Sequence, residues 1–151
     1  MNYSPAHIMR IVGISQETFR HWRKVLPPLA ERKGRDKFTL GDALALLIVK
    51  DLCGVIGIQV KAIAPFSTGL FDFCNPIKWD SYTGKAIIYQ PDHNEFLIAD
   101  DTSRVMDLAT PAVVIDINRH LVAVKAYVLG LENSEEQFEL HFSPRLVSRR
   151  T

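Results

Sequence analysis

The chain has 151 residues, 47% hydrophobic and 23% charged, with a formal net charge of +1, which fits one globular domain or a small module with a companion. Its longest apolar run, near Ala43 to Val49, is well short of the roughly 18 to 20 residues a membrane span needs, and no secretory signal pattern opens it, so a cytoplasmic location with no membrane partner is expected. The small net charge hides a polarity: residues 1–40 hold eight Lys and Arg against three acids, net +5, and the remainder ten against fourteen, net −4, which predicts a polyanion-facing head on an acidic body.

Ser4-Pro5 predicts a helix start, with Ser4 capping the free N–H groups and Pro5 at the first helical position, where its missing donor costs nothing. Ala6, Ile8, Met9 and Val12 give that helix an apolar stripe, and Gly13 supplies a left-handed stop. Ser15 caps a second helix whose inner face is Phe19 and Trp22, with Ile14 and Val25 at its flanks. Arg20, His21, Arg23 and Lys24 are then directed outward. Pro27-Pro28 ends this helix. Two short helices joined by a Gly turn form a helix-turn-helix pattern, in which the N-terminal residues of the second helix face base edges.

Leu29 to Phe38 reads as two short strands around a basic turn, a wing carrying Arg32, Lys33, Arg35 and Lys37 about Gly34. Thr39 caps a third helix running to Gly54, with Asp42 in its first turn. A fourth, short helix is predicted from Ile58 to about Ala64, stopping before Pro65.

In order, Gly13-Ile14-Ser15, Glu17-Thr18-Phe19-Arg20, Arg35, Phe38-Thr39, Asp42 and Gly57-Ile58 make residues 3–66 resemble the N-terminal winged-helix domain of the MerR family of bacterial transcription regulators. The resemblance implies that Ser15, Thr18, Arg20 and His21 meet DNA on a recognition helix, with Gln16 in its first turn, and that Arg35 touches the backbone from a wing. The family usually has Tyr where His21 stands, and an acidic or polar residue where Arg23 stands. On chemistry, the planar Arg20 fork suits guanine O6 and N7. Arg23, Lys24, Lys33, Arg35 and Lys37 suit phosphates, which position the protein and make binding salt-dependent.

The second half departs from that family. A long dimer-forming helix commonly follows the fourth helix there, but Pro65, Gly69 and Pro76 interrupt this chain. Residues 67–76 are therefore expected to form an apolar-aromatic connector, with Phe66, Leu70, Phe71 and Phe73 packing on the winged helix or on a partner. Lys85–Tyr89 and Glu95–Ala99 predict a hairpin about Pro91-Asp92-His93-Asn94. Pro111–Ile117 predicts a buried strand, and Asn118 is expected to cap a last helix ending near Gly130. The fold class is thus α+β: a winged helix-turn-helix (1–66), the connector (67–76), a small α+β dimerisation or effector unit (77–131) and a polar tail (132–151).

Nothing in the residues argues for an enzyme. His7, His93, His120 and His141 lack a nucleophile with an acid partner, and no Gly-rich phosphate loop precedes a Lys-Ser/Thr pair. Asp100, Asp101 and Asp107 read as turn residues, and Cys53 and Cys74, without CxxC spacing, as buried free thiols. No catalytic group, metal or cofactor is expected, and a small-molecule effector is left open. The expected function is a homodimeric, sequence-specific regulator binding double-stranded DNA at a palindromic operator. The alternatives are an architectural or accessory DNA binder of excisionase or partition type, and a protein-interaction module.

Overall fold

A computed structural model describes residues 2–32, 37–76, 84–93, 95–99 and 111–130. The chain is a mixed α+β protein with helices α1 (Pro5–Val12), α2 (Gln16–Val25), α3 (Pro27–Ala30), α4 (Leu40–Gly54) and α5 (Val60–Cys74). Strands β1 (Ala86–Gln90), β2 (Glu95–Ala99) and β3 (Val113–Asp116) follow, then helix α6 (Asn118–Val128). Local side-chain chemistry starts and stops the first helices. Ser4 Oγ accepts the His7 N–H at 3.4 Å, and Gly13 (φ 67°) returns its N–H to the Met9 carbonyl at 2.9 Å. Ser15 Oγ accepts the Thr18 N–H at 3.1 Å. At α4, Thr39 Oγ1 accepts the Asp42 N–H while the Asp42 carboxylate accepts the Thr39 N–H, a reciprocal capping box.

Helix α4 is buried without interruption from Gly41 to Val49. It packs against α1, α5 and α6, as an all-round apolar helix must if its surface is to leave water. One buried cluster runs from Ile8 on α1 through α4 and α5 to Ile87, Ile115 and Val124. A single core therefore underlies both the N-terminal helices and the sheet.

Two expectations about this region are corrected. Helix α5 does not stop before Pro65. It runs through Pro65 and Gly69 to Cys74, so residues 67–74, predicted as an irregular connector, form its second half. Its buried residues Ile63, Phe66, Leu70, Phe71 and Cys74 recur at helical spacing on one face. Burying a large apolar side chain contributes about 1.5 to 3 kcal/mol, so four of them outweigh the roughly 3 kcal/mol that an interior proline costs and the roughly 1 kcal/mol for glycine. Phe66, Leu70 and Phe71 do pack on this chain's own core, as one of the two expected arrangements held.

Leu29 and Ala30, expected in the first strand of the wing, are helical instead. Pro27 and Pro28 end α2 and also start α3, since the fixed φ of proline is already helical. Phe38 pairs with Tyr3, not with a strand preceding the basic turn: Tyr3 N–H donates to the Phe38 carbonyl at 2.7 Å and Phe38 N–H to the Tyr3 carbonyl at 2.9 Å.

The hairpin forms as expected. β1 pairs antiparallel with β2, from Ala86 opposite Ala99 to Gln90 opposite Glu95. β3 adds antiparallel on the other side of β1, giving the order β2-β1-β3. The sheet is seated on α5 by aromatic rings: Tyr89 stacks on its cross-strand neighbour Phe96 at 4.9 Å, and Phe66 lies 4.2 Å from Tyr89. Asn118 is not the cap of α6. It is the first helical residue, after Ile117, and its Oδ1 accepts the Gly84 N–H at 2.8 Å while its own N–H donates to Asp116 Oδ1 at 2.9 Å. Asn118 thus ties the entry of β1 to the exit of β3. Lys33, Arg35, Asp100, Asp101, Asp107 and the tail 132–151 lie outside the described residues, and no helix among the described residues is long and apolar enough to cross a membrane.

Candidate nucleic-acid interface

The sequence of α2 divides cleanly by face. Phe19 and Trp22 are buried, each 5% exposed, and Phe19 meets Phe38 edge-on with ring centres 5.8 Å apart. This holds the helix by one side. Gln16, Glu17, Arg20, His21 and Lys24 are exposed. At 3.6 residues per turn they fall on one arc about 140° wide, away from the two aromatic anchors. Among the described residues Arg20 has no carboxylate partner, so its guanidinium is available to a ligand.

Not every predicted contact residue is equally placed. Ser15 is exposed and Thr18 half-buried. Their hydroxyls lie 2.9 Å apart, and Ser15 Oγ also receives the Thr18 N–H, so both serve the start of α2. Arg23 is half-buried and turned sideways, with NH2 donating to the Arg32 carbonyl at 3.2 Å. Lys37 is exposed. The structure therefore brings Gln16, Arg20, His21 and Lys24 onto one face, with Arg23 at its margin.

Below this face sits a polar network that sequence reasoning did not anticipate. Asp42 is fully buried, and its carboxylate receives both arms of the Arg32 fork at 2.8 Å each, the Thr39 N–H at 2.8 Å and Asn75 Nδ2 at 3.0 Å. Burial alone would raise its pKa, but the hydrogen bonds from Arg32, Asn75 and Thr39 together with the Arg32 charge hold it below the usual carboxylate range. Arg32 NH1 also donates to the Lys37 carbonyl at 3.2 Å, and its guanidinium lies 4.9 Å from the centre of the Phe38 ring. The signal for Asp42 was its capping-box position three residues after Thr39. Nothing in the sequence pointed to Asn75, which comes from the far end of α5.

Lys50 is a second residue the sequence reading passed over. Its Nζ donates to the Val12 carbonyl at 2.9 Å, placing a positive charge at the C-terminus of α1, where the helix dipole favours it, beside the turn into α2. At the next residue of α4, Asp51 Oδ2 lies 2.9 Å from Nε2 of the buried His120 of α6, close enough for an ion pair but not aligned for a hydrogen bond. Burial lowers the His120 pKa, and Asp51 only partly offsets this.

Other chemistry has less to work with. Among the described residues no three His, Cys, Asp or Glu side chains gather to hold a metal. Cys74 is buried and Cys53, expected to be buried as well, is half-exposed; burial pushes both thiols up, Cys74 further with the Asp42 charge nearby. Both are poor nucleophiles at neutral pH. An apolar groove of 330 Å³ lies between α4 and α6, lined by Leu40, Val124, Lys125, Val128 and Leu129, without the converging polar groups that orient a small ligand. No protein-family model matches the chain, and no curated protein matches it.

Proposed function

We propose that this protein is a sequence-specific DNA-binding transcription regulator whose N-terminal part is a MerR-like winged helix-turn-helix, acting as a homodimer on a palindromic operator. One observation carries the reading: a helix locked to the core by Phe19 and Trp22 presents Gln16, Arg20, His21 and Lys24 together to solvent. Those side chains match what a major groove offers. Gln can bond adenine N6 and N7, Arg guanine O6 and N7, and Lys a flanking phosphate. The basic run from Arg32 to Lys37 follows directly and supplies the wing of the proposal. The second half is assigned to dimerisation, in keeping with exposed Val122, Val128 and Leu129 on and after α6.

Selection of bound sequences from random duplex DNA, with light scattering of the same protein, tests this. The expected result is a two-fold symmetric site, with half-sites about one helical turn or a multiple apart, bound by a dimer and weakened steeply by salt. Absence of any salt-sensitive duplex binding would overturn the reading. An extended or repeatedly phased footprint would move it to an accessory, DNA-coating role.

A further inference from the structure

Arg32 opens the basic run Arg32, Lys33, Arg35 and Lys37, whose other three members suit phosphates. The geometry of Arg32 sets it apart. The guanidinium is directed inward, each terminal nitrogen on a different oxygen of the buried Asp42 carboxylate, with NH1 also on the Lys37 carbonyl. The Arg32 carbonyl receives Arg23 NH2 from α2. Asp42 is in turn held by Thr39 at the start of α4 and Asn75 at the end of α5. A fork bonded to both carboxylate oxygens is a strong, charge-assisted arrangement. Withdrawing it would leave a buried charge without its partner, so Arg32 does not leave Asp42 to follow a phosphate.

We infer that Arg32 is a positioning residue and not a phosphate ligand: closed on Asp42, it holds its own backbone and that of Lys37 to the start of α4 and, through Arg23, to α2, so that Lys37 and the basic residues of α2 present one surface to a DNA duplex. The inference rests on the DNA-binding reading above. Arg32 touches the Lys37 carbonyl with its side chain and Arg23 with its own carbonyl. A single residue thus couples the backbone at Lys37 to α2 and α4. Substitution by Lys keeps the charge but loses the planar fork, which separates the two roles. A phosphate ligand tolerates that change, whereas a clamp does not.

The test measures duplex affinity across a salt series for wild type, Arg32→Lys and Asp42→Asn, with circular dichroism confirming that each is folded. Both variants are expected to bind at least tenfold more weakly, and the slope of log K against log salt to shrink by about 1 to 3, since each lost phosphate contact removes about 0.9. A general loss of stability in a protein that remains folded would leave the slope alone. Wild-type affinity in Arg32→Lys, or tighter binding with a steeper slope in Asp42→Asn as an acid is removed near DNA, overturns the inference. Tryptic cleavage after residues 32 and 37 provides a readout without DNA, expected at least tenfold faster in both variants. If wild type binds no duplex, the functional reading fails, and cleavage still decides the clamp: equal rates in wild type and Arg32→Lys refute it.

Discussion

Gly41, the second residue of α4, stands where that helix meets the end of α5. A methyl group on its α-carbon would lie 2.6 Å from the Asn75 Cα and 2.7 Å from the Cys74 carbonyl oxygen. Both are backbone atoms, so neither can swing aside as a side chain would. In an open helix Gly→Ala stabilises by about 1 kcal/mol. Here an overpacking cost of about 1 to 3 kcal/mol, more where backbone must move, opposes that gain. Separating α4 from α5 also strains the Asn75 bond to Asp42 and with it the base of the basic segment. Gly41→Ala should therefore lose about 2 kcal/mol, or roughly 4 to 8 °C in Tm for a chain of this size. Gly54, at the last turn of the same helix, has nothing within 4 Å of the equivalent methyl position, so Gly54→Ala should be neutral or gain up to about 1 kcal/mol. Urea unfolding followed by far-ultraviolet circular dichroism gives both midpoints. If Gly41→Ala proves as stable as wild type, or the two variants shift in the same direction, the packing of α4 on α5 described above is wrong.

Three further outcomes are expected. Arg20→Gln should reduce the preference for the selected site over unrelated duplex by about 1 to 3 kcal/mol, while Lys37→Gln should weaken binding to all sequences alike and lower the salt slope by about 0.9; identical behaviour of the two would refute their separate roles. The His120 pKa is lower in the fold than in the unfolded chain, so the unfolded state takes up the proton first. Stability should be at its full value above about pH 6.5 and decline as pH falls from there through the depressed native value. Urea midpoints of His120→Gln should lose that part of the decline, and a midpoint that rises on acidification across this window would contradict the sign. Asn118→Ala removes the acceptor for the Gly84 N–H and should cost about 0.5 to 1.5 kcal/mol, read as a lower thermal midpoint; no change would show that the link between β1 and β3 is dispensable.

The face of α2 was legible because it depends on residues within a few positions of each other. Phe19 and Trp22 had to turn inward together, and at 3.6 residues per turn Arg20, His21 and Lys24 had to turn outward. The network beneath was not legible. Thr39 and Asp42 share a local motif, but the Arg32 fork and the Asn75 amide reach Asp42 only because α4 and α5 pack together, and residue types at separations of 10 and 33 positions carry no sign of that. Arg32 therefore read as another member of a basic run.

The amino-acid order by itself determined where α1, α2 and α4 begin and that β1 and β2 form a hairpin, since Ser4, Ser15, Thr39, Gly13 and the Pro91 turn act on backbone groups a few residues away. Only the packed chain decided that α5 continues through Pro65, that Phe38 pairs with Tyr3, and that Asn118 ties two strands instead of capping α6. A proline or an asparagine carries a local preference worth a few kcal/mol at most. The apolar face of α5, shut against α4 and the sheet, outweighs it, and that contribution exists only when distant segments meet.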